Sequence, residues 1–279
     1  MDAAPTGRGE CAARMRNVRV LLAYDGSGFF GWQRQDGFDS VQQRLEEVLH
    51  SLAGERVVVH GSGRTDTGVH ALGQVAHFLV DTRLEDERLR HALNAHLPRT
   101  IRVRRLETCR ADFHARFDAV GKRYLYVVAT SRFRPPFAPA LMHWVHDPLD
   151  LAAMRAAARP LLGRHDFAAF GNTGSPRATT VRTLRALRIV ARQRGFGIVV
   201  EADGFLYNMV RTIAGTLIDA GRGKLGPADV SRALASGERT AAGPTAPAAG
   251  LYLLRVRYPE SIFPGPDRGP RGVPGLFQL

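Results

Sequence analysis

An arginine and an aspartate stand two residues apart in a glycine-bracketed loop, Gly61-Ser62-Gly63-Arg64-Thr65-Asp66-Thr67-Gly68-Val69-His70. A nearby guanidinium favours the ionised carboxylate and lowers its pKa, and the ionised form is what a nucleophile or general base must be. Asp66 is therefore the candidate catalytic group. Gly61, Gly63 and Gly68 open backbone turns closed to residues with a β-carbon, so the loop can bend tightly and approach a ligand. Two phosphate-loop patterns fail on their working residues. A Walker loop requires Lys-Ser/Thr directly after Gly68, where Val69 and His70 stand, and the dinucleotide fingerprint requires a third glycine where Asp66 sits. An ordinary surface turn, with Arg64 and Asp66 merely paired, shares this composition.

The elements around the loop must hold it. The β-rich run Val57 to His60 leads in and Gln74 to Val80 leads out. Upstream, Val18 to Tyr24 reads as a strand and residues 25–35 as a loop rich in glycine and aromatics. Within it, Asp25-Gly26-Ser27 resembles half of an aspartate phosphotransferase motif, but the second aspartate would fall at Ala23. Ser40 with Gln43 three residues on reads as a capping box. Val41, Leu45, Val48, Leu49 and Leu52 follow at helical spacing, and Gly54 ends that helix. Leu84 to Leu97 is predicted as a second helix, and Ile101 to Leu106 as a strand with Arg102 and Arg104 on one face. The order strand, helix, strand, strand, helix, strand is ferredoxin-like, and is shared with RNA-recognition modules. The second half repeats it loosely. Tyr124 to Ala129 is a strand, Leu151 to Leu162 a helix ending near Pro160, and Val181 to Gln193 with Gly197 to Ala202 a hairpin about Arg194 to Phe196. Tyr207 to Ala220 is a helix with an apolar stripe, Pro227 to Ala235 a short helix, and Leu251 to Tyr258 the closing strand. The expected fold class is α/β (α+β), two ferredoxin-like halves whose sheets meet around a central basic cleft. The expected division is 1–16 a flexible tail, 17–112 and 113–258 the two halves, and 259–279 a disordered tail crowded with proline and glycine.

Composition narrows the partners. The chain has 279 residues, and its 39 basic against 26 acidic residues give a formal charge of +13. That charge points to a polyanion, with nucleic acid ahead of membrane because no basic amphipathic helix is present. Of the basic residues 37 are arginine and two are lysine. GC-rich codon usage explains that ratio, so the sign of the charge carries the information. No apolar run approaches a membrane span and no signal-peptide core opens the chain. Two cysteines, Cys11 and Cys109, are too few for a disulfide framework, and a reduced cytoplasm fits best.

The segment Gly63-Arg64-Thr65-Asp66-Thr67-Gly68-Val69-His70-Ala71, followed by Gly73-Gln74-Val75-Ala76-His77-Phe78, closely resembles the active-site motif of the tRNA pseudouridine synthase A family. Other blocks fall in that family's order: Tyr24-Asp25-Gly26-Ser27 with Gly31-Trp32-Gln33-Arg34-Gln35, Asp112 to Phe117, Lys122-Arg123-Tyr124-Leu125-Tyr126, Met209-Val210-Arg211 and Gly250-Leu251-Tyr252-Leu253. The resemblance covers residues 17 to 258. Thr67 stands where many members carry alanine.

The resemblance implies conversion of uridine to pseudouridine at positions 38, 39 and 40 of the tRNA anticodon stem-loop by a homodimer, on RNA and not DNA. Such an isomerisation needs no metal or redox cofactor. Asp66 would be the nucleophile; attack on C1′, attack on C6 and removal of the 2′ proton all use an ionised carboxylate. Tyr124 would stack on the extruded base, Arg211 would pair with Asp66, Leu253 would pack beneath the pocket, and Arg64 would fill the space that the flipped nucleotide leaves. Arg34, Arg116 and Arg123 belong to matched blocks and are candidate phosphate contacts. Arg188, Arg192 and Arg194 alternate on one predicted strand and extend that surface or form a solvated face. His143 and His146 share a predicted helix face without partners at zinc-ligand spacing, so no metal site is expected. His70 and His114 fit structural or RNA-contacting roles. The alternatives are a synthase acting on another RNA and a catalytically silent RNA-binding module.

Overall fold

The computed structural model describes residues 15–134, 136, 139–172 and 179–263. The first half runs β1 (Met15–Tyr24), α1 (Val41–Ala53), β2 (His60–Gly61), β3 (His70–Asp81), α2 (Asp86–His96) and β4 (Ile101–Thr108). The second runs β5 (Gly121–Thr130), β6 (His143–Val145), α3 (Leu151–Ala158), β7 (Gly163–Asp166), β8 (Val181–Arg192), β9 (Gly195–Ala202), α4 (Met209–Gly221), α5 (Pro227–Ser236) and β10 (Leu251–Arg257). One sheet contains all ten strands, in the order β4-β1-β3-β10-β5-β9-β8-β7, with β2 on β3 and β6 on β5. Within it, β4-β1-β3-β2 and β10-β5-β9-β8 each carry the ferredoxin-like arrangement. The two units join where β10 runs parallel to the start of β3, pairing Tyr252 with His70 and Leu253 with Ala71.

β2 itself is short. The strand expected over Val57 to His60 is reduced to His60–Gly61, which pairs only with Ala76 and His77. Val57 and Val59 do point inward and Val58 outward, with strand-like alternation. Their backbone, however, is taken by helix side chains: the Val59 N–H donates to Glu46 Oε1 (3.0 Å) and Gln42 Nε2 donates to the Val59 carbonyl (2.9 Å). Past Ser62, whose N–H bonds the Val75 carbonyl (2.8 Å), the chain leaves β3 for the loop, so the first residues of β3 are open along that edge, and an open edge seeks a strand. β10 fills it.

Helix α1 starts as its sequence dictates, with the Ser40 hydroxyl accepting from the Gln43 N–H (3.3 Å), and ends at Gly54 in the left-handed region (φ 75°). Only half of the expected capping box forms, because Gln43 Nε2 turns to Glu47 instead (2.8 Å). Helix α3 stops at Ala158 and tightens into a 3₁₀ turn through Pro160. The β8–β9 turn is tighter than the expected Arg194 to Phe196, since only Gln193 and Arg194 lie between the strands and Phe196 is buried in β9.

One continuous core joins the helices of both halves to one face of the sheet. A smaller cluster on the opposite face gathers Leu125, Val127, Ala129 and Tyr252 beneath Met142, and the Tyr252 hydroxyl ties that cover down through the Leu141 carbonyl (2.7 Å). Parts of both expected tails belong to the described fold. Arg16 already belongs to β1 and bonds Asp86 (2.7 Å), and Phe263 packs against the guanidiniums of Arg19 and Arg105, each 5.4 Å from its ring centroid. Residues 1–14, with Cys11, and 264–279 lie outside the described residues.

Candidate active site

The loop that carries Asp66 is braced from three sides. Beneath it, Gln74 accepts from the Ser62 hydroxyl (2.7 Å) and donates to the Gly63 carbonyl (2.9 Å). The Tyr24 hydroxyl bonds Thr65 Oγ1 (2.8 Å), and the Trp32 N–H donates to the Thr65 carbonyl (3.0 Å). Within the loop the Val69 N–H returns to the Asp66 carbonyl (3.1 Å). Residues 25–35, read from sequence only as a glycine- and aromatic-rich loop, thus form one wall of this turn. Gly31 has φ +90°, and a Cβ there would come within 2.5 Å of the Thr65 carbonyl oxygen. Asp25 plays no part in the cavity. The His70 ring, the Ser27 N–H and the Ser27 hydroxyl hold its carboxyl well below the usual carboxylate range, against the opposing effect of burial.

Above the loop lies a cavity of about 1160 Å³ on the helical face of the sheet, between α1 and the start of α4. It exceeds the roughly 300–1,000 Å³ of small-molecule sites. Arg64, Asp66, Arg116, Lys122, Arg182 and Asp203 line it, four cations against two carboxylates. Tyr124 lies in its wall, 8% exposed, edge-on to Phe205 with ring centroids 5.0 Å apart. Burial pushes the Tyr124 phenol above its ordinary pKa, and the charges of Tyr24 and Asp66 push it the same way. Asp66 is therefore close enough for its charge to be felt at this hydroxyl. At the rim the exposed ring of Phe117 packs on His114 (centroids 4.2 Å apart).

The structure thus brings Asp66, Tyr124 and Arg64 to one cavity. Arg211 is not among its lining residues. The expected pairing with Asp66 is replaced by two other bonds: Arg211 Nε donates to the Ala246 carbonyl (2.7 Å), and Nη1 donates to Asn208 Oδ1 (2.8 Å). The Ala246 N–H returns to the Arg211 carbonyl (3.1 Å), so the loop after α5 captures this side chain at the helix flank. Asn208, at the cavity, is the one non-glycine residue with positive φ among the described residues (61°). Leu253 does not reach the cavity either. It sits where three strands meet, paired with Ala71 on one side and Tyr124 on the other, and is 1% exposed. We expect Leu253→Ala to cost about 2–5 kcal/mol of stability, measured by denaturant unfolding. A loss below about 1 kcal/mol would deny it this packing role.

Of the expected phosphate contacts, Arg116 lines the cavity. Arg34 and Arg123 are engaged by acids that the sequence order hides. Arg34 Nη1 bonds the buried Glu46 (2.9 Å), and Arg123 Nε bonds Glu201 (2.7 Å), which is 3% exposed. Burial alone would raise the Glu201 pKa, but the guanidiniums of Arg257 and Arg123 outweigh it and hold the carboxyl below its ordinary range. Arg188 and Arg192 are exposed on β8, while Arg194 lies in the turn and not on the strand. His143 belongs to a strand, so no helix face joins it to His146. His70 is structural: its Nε2 donates to the Ala140 carbonyl (2.9 Å) and its ring stacks on Tyr252 (4.6 Å). Cys109 is half-buried, and burial pushes its thiol up to about 11. Among the described residues no three His, Cys, Asp or Glu side chains are grouped to hold a metal ion, and no helix is long and apolar enough to cross a membrane.

Lys122, Phe117 and Phe205 were not singled out as site residues. Lys122 had a signal, since it stands beside Arg123 and Tyr124 in a recognised block and alternation puts it on the Tyr124 face of β5. Phe205 lies in the segment between β9 and α4, where no periodicity marks it.

Comparison with known proteins agrees with this arrangement. A family model described as tRNA pseudouridine synthase matches residues 21–118 and 157–259, which include the loop, β5-facing strands and α4. A tRNA pseudouridine synthase A of Acetivibrio thermocellus is 41% identical over 244 residues, covering 88% of this chain and 100% of that protein. The proteins of the same name from Syntrophotalea carbinolica and Geobacillus kaustophilus are 46% and 44% identical over 88% of this chain, and 97% and 95% of those proteins are covered. With the family model spanning most of the chain and relatives this similar along it, the chain belongs to the tRNA pseudouridine synthase family.

Proposed function

We propose that this protein isomerises uridine to pseudouridine at positions 38, 39 and 40 of the tRNA anticodon stem-loop, with Asp66 as the reacting anion. The observation that carries the reading is the meeting of Asp66 and Tyr124 at one basic cavity. In the reaction the N1–C1′ bond breaks, the base turns, C5 bonds to C1′, and the C5 hydrogen leaves as a proton while N1 gains one. Substrate and product are isomers, so no electrons are exchanged with a third party. An ionised oxygen at the junction of sugar and base is what the protein must supply.

Tyr124 offers the face for an extruded base, and Phe205 fixes its ring. Arg64, exposed at the cavity mouth, is placed to occupy the gap that the base leaves in its stem. A second copy of the chain holds the tRNA body while one cavity takes the target, and the protein works in the cytoplasm. Both of these follow from the family resemblance. The test of the reaction is release of tritium from tRNA carrying C5-tritiated uridine. Release that disappears when uridines 38, 39 and 40 are all replaced would locate the site. Release that persists would move the substrate elsewhere, and tight RNA binding with no release would leave a binding module. Because cations meet phosphates here, log Kd for tRNA should change linearly with log salt, by close to one unit per phosphate neutralised. Salt-independent binding would remove the electrostatic basis of the reading.

A further inference from the structure

Lys122 is one of two lysines in the chain, and its ammonium faces the same cavity as Asp66. It projects from β5 on the face that carries Tyr124, two residues on. Its Nζ packs over Gly63, so a Cβ at that position would fall on the ammonium. This close approach would be relieved by a shift of the flexible lysine tip if Gly63 carried a side chain. It also suits the compact ammonium of lysine better than the broad planar fork of arginine. Among the described residues Lys122 has no hydrogen-bond or ion-pair partner. A half-buried cation without a counter-charge is costly unless something completes it.

The groups around it do not. Asp66 and Arg64 are on the loop beneath, His60 is on β2, and His114, Arg116 and Asp118 are in the segment before β5. Arg182 also lines the cavity, as does Asp203, which follows Ala202, the cross-strand partner of Lys122, and accepts from the Thr183 N–H (3.0 Å). Glu201 on the neighbouring strand β9 is occupied by Arg123 and Arg257. Burial, and after it the charge of Arg116, lowers the Lys122 pKa to about 8. The cavity therefore holds an ammonium that would lose its proton just above neutral pH and that has no ion-pair partner among the described residues.

We propose that Lys122 is the receptor, inside the cavity, for a backbone phosphate of the RNA, and that the phosphate enters together with a proton taken from solvent. The inference rests on the RNA-directed reading of this cavity, but not on which group does the chemistry. A phosphodiester oxygen replaces the solvation that Lys122 lost and restores its ordinary titration, so the bound state holds the proton to higher pH than the free state. The sign follows: affinity is full below the free-state pKa and falls as pH rises through it, by at most tenfold per unit for one linked proton.

The test is the Kd of a tRNA anticodon stem-loop at pH 7, 8 and 9, at constant ionic strength, for wild type and Lys122→Met. Wild type should bind about tenfold more weakly at pH 9 than at pH 7. The variant should be about tenfold weaker at pH 7, should show less pH dependence than wild type, and should lose a little under one unit of salt slope. The wild-type profile needs no mutant, so a poorly folding variant does not spoil the result. A flat wild-type profile, or an equal slope in both proteins, would overturn the assignment. Inorganic phosphate offered without RNA at pH 7 should raise the melting temperature of both proteins equally. Stabilisation confined to wild type would assign the site to a free anion and overturn the RNA reading. Tritium release does not enter these measurements, so failure here and failure of the synthase reading are separate results.

Discussion

Asp66→Ala should abolish tritium release from C5-tritiated tRNA, lowering the single-turnover rate by roughly 10³–10⁶-fold, the range seen when a reacting group is removed outright. RNA affinity should not fall with it. The cavity sets four cations against two carboxylates, so deleting one carboxylate makes it more attractive to phosphate. The two readouts must therefore diverge, with the rate collapsing and Kd for tRNA equal or tighter. Asp66→Asn sharpens the point, because it keeps the shape and hydrogen-bonding reach of the side chain and removes only the charge. If the amide retained more than about a tenth of the rate, the requirement for an anion would be wrong and Asp66 would be a positioning group. If both variants lost affinity in parallel with rate, the carboxylate would be organising the loop and the chemistry would belong elsewhere.

What the sequence disclosed about this site was local. Asp66, Arg64 and the glycines that bend the loop lie within a few residues of one another, and Tyr124 sits in a strand whose alternation fixes its face. The order of elements gave both ferredoxin-like halves, because each helix and most strands carry their own periodicity. What stayed hidden was pairing at a distance. Glu46 claims Arg34 across a helix turn and a loop, and Glu201 claims Arg123 from a strand 78 residues later. No property of Arg34 or Arg123 alone announces a committed guanidinium. Arg211 illustrates the same gap: its place on the helix flank was legible, but its destination, a carbonyl 35 residues downstream, was not. Val57 to Val59 had every mark of a strand. They failed to become one because Gln42 and Glu46 reached their backbone first. The fusion of the two halves has another origin: the chain leaves β3 after Ser62 to form the loop, and β10 takes the open edge at His70 and Ala71. Lys122 was overlooked for the opposite reason. A basic residue in a basic chain is unremarked until the structure shows it half-buried and without an ion-pair partner.

Gly31→Ala should damage catalysis out of proportion to its size, and Gly37→Ala provides its control. Both glycines have positive φ, +90° and +79°, so each alanine pays a similar backbone cost of about 1–2 kcal/mol. Their surroundings differ. A Cβ at Gly37 meets nothing within 4 Å, whereas at Gly31 it would lie 2.5 Å from the Thr65 carbonyl oxygen, 3.1 Å from the Asp66 carbonyl carbon and 3.3 Å from the Thr67 nitrogen. These are backbone atoms of the loop that carries Asp66, and a backbone cannot step aside as a side-chain tip can. The loop must move by something approaching an ångström, a displacement that can cost about 10²-fold in rate when it misplaces a reacting group. Gly31→Ala should therefore lose about 10²-fold or more in single-turnover tritium release, and Gly37→Ala should keep nearly all of it, while the melting temperatures of both fall. Binding is expected to separate from rate once more, since the cations that hold phosphate are not on the displaced segment except Arg64. Equal rates for the two variants would mean that residues 25–35 merely neighbour the loop. A selective loss at Gly31 would establish that this segment, which carries no reacting group of its own, sets the position of Asp66.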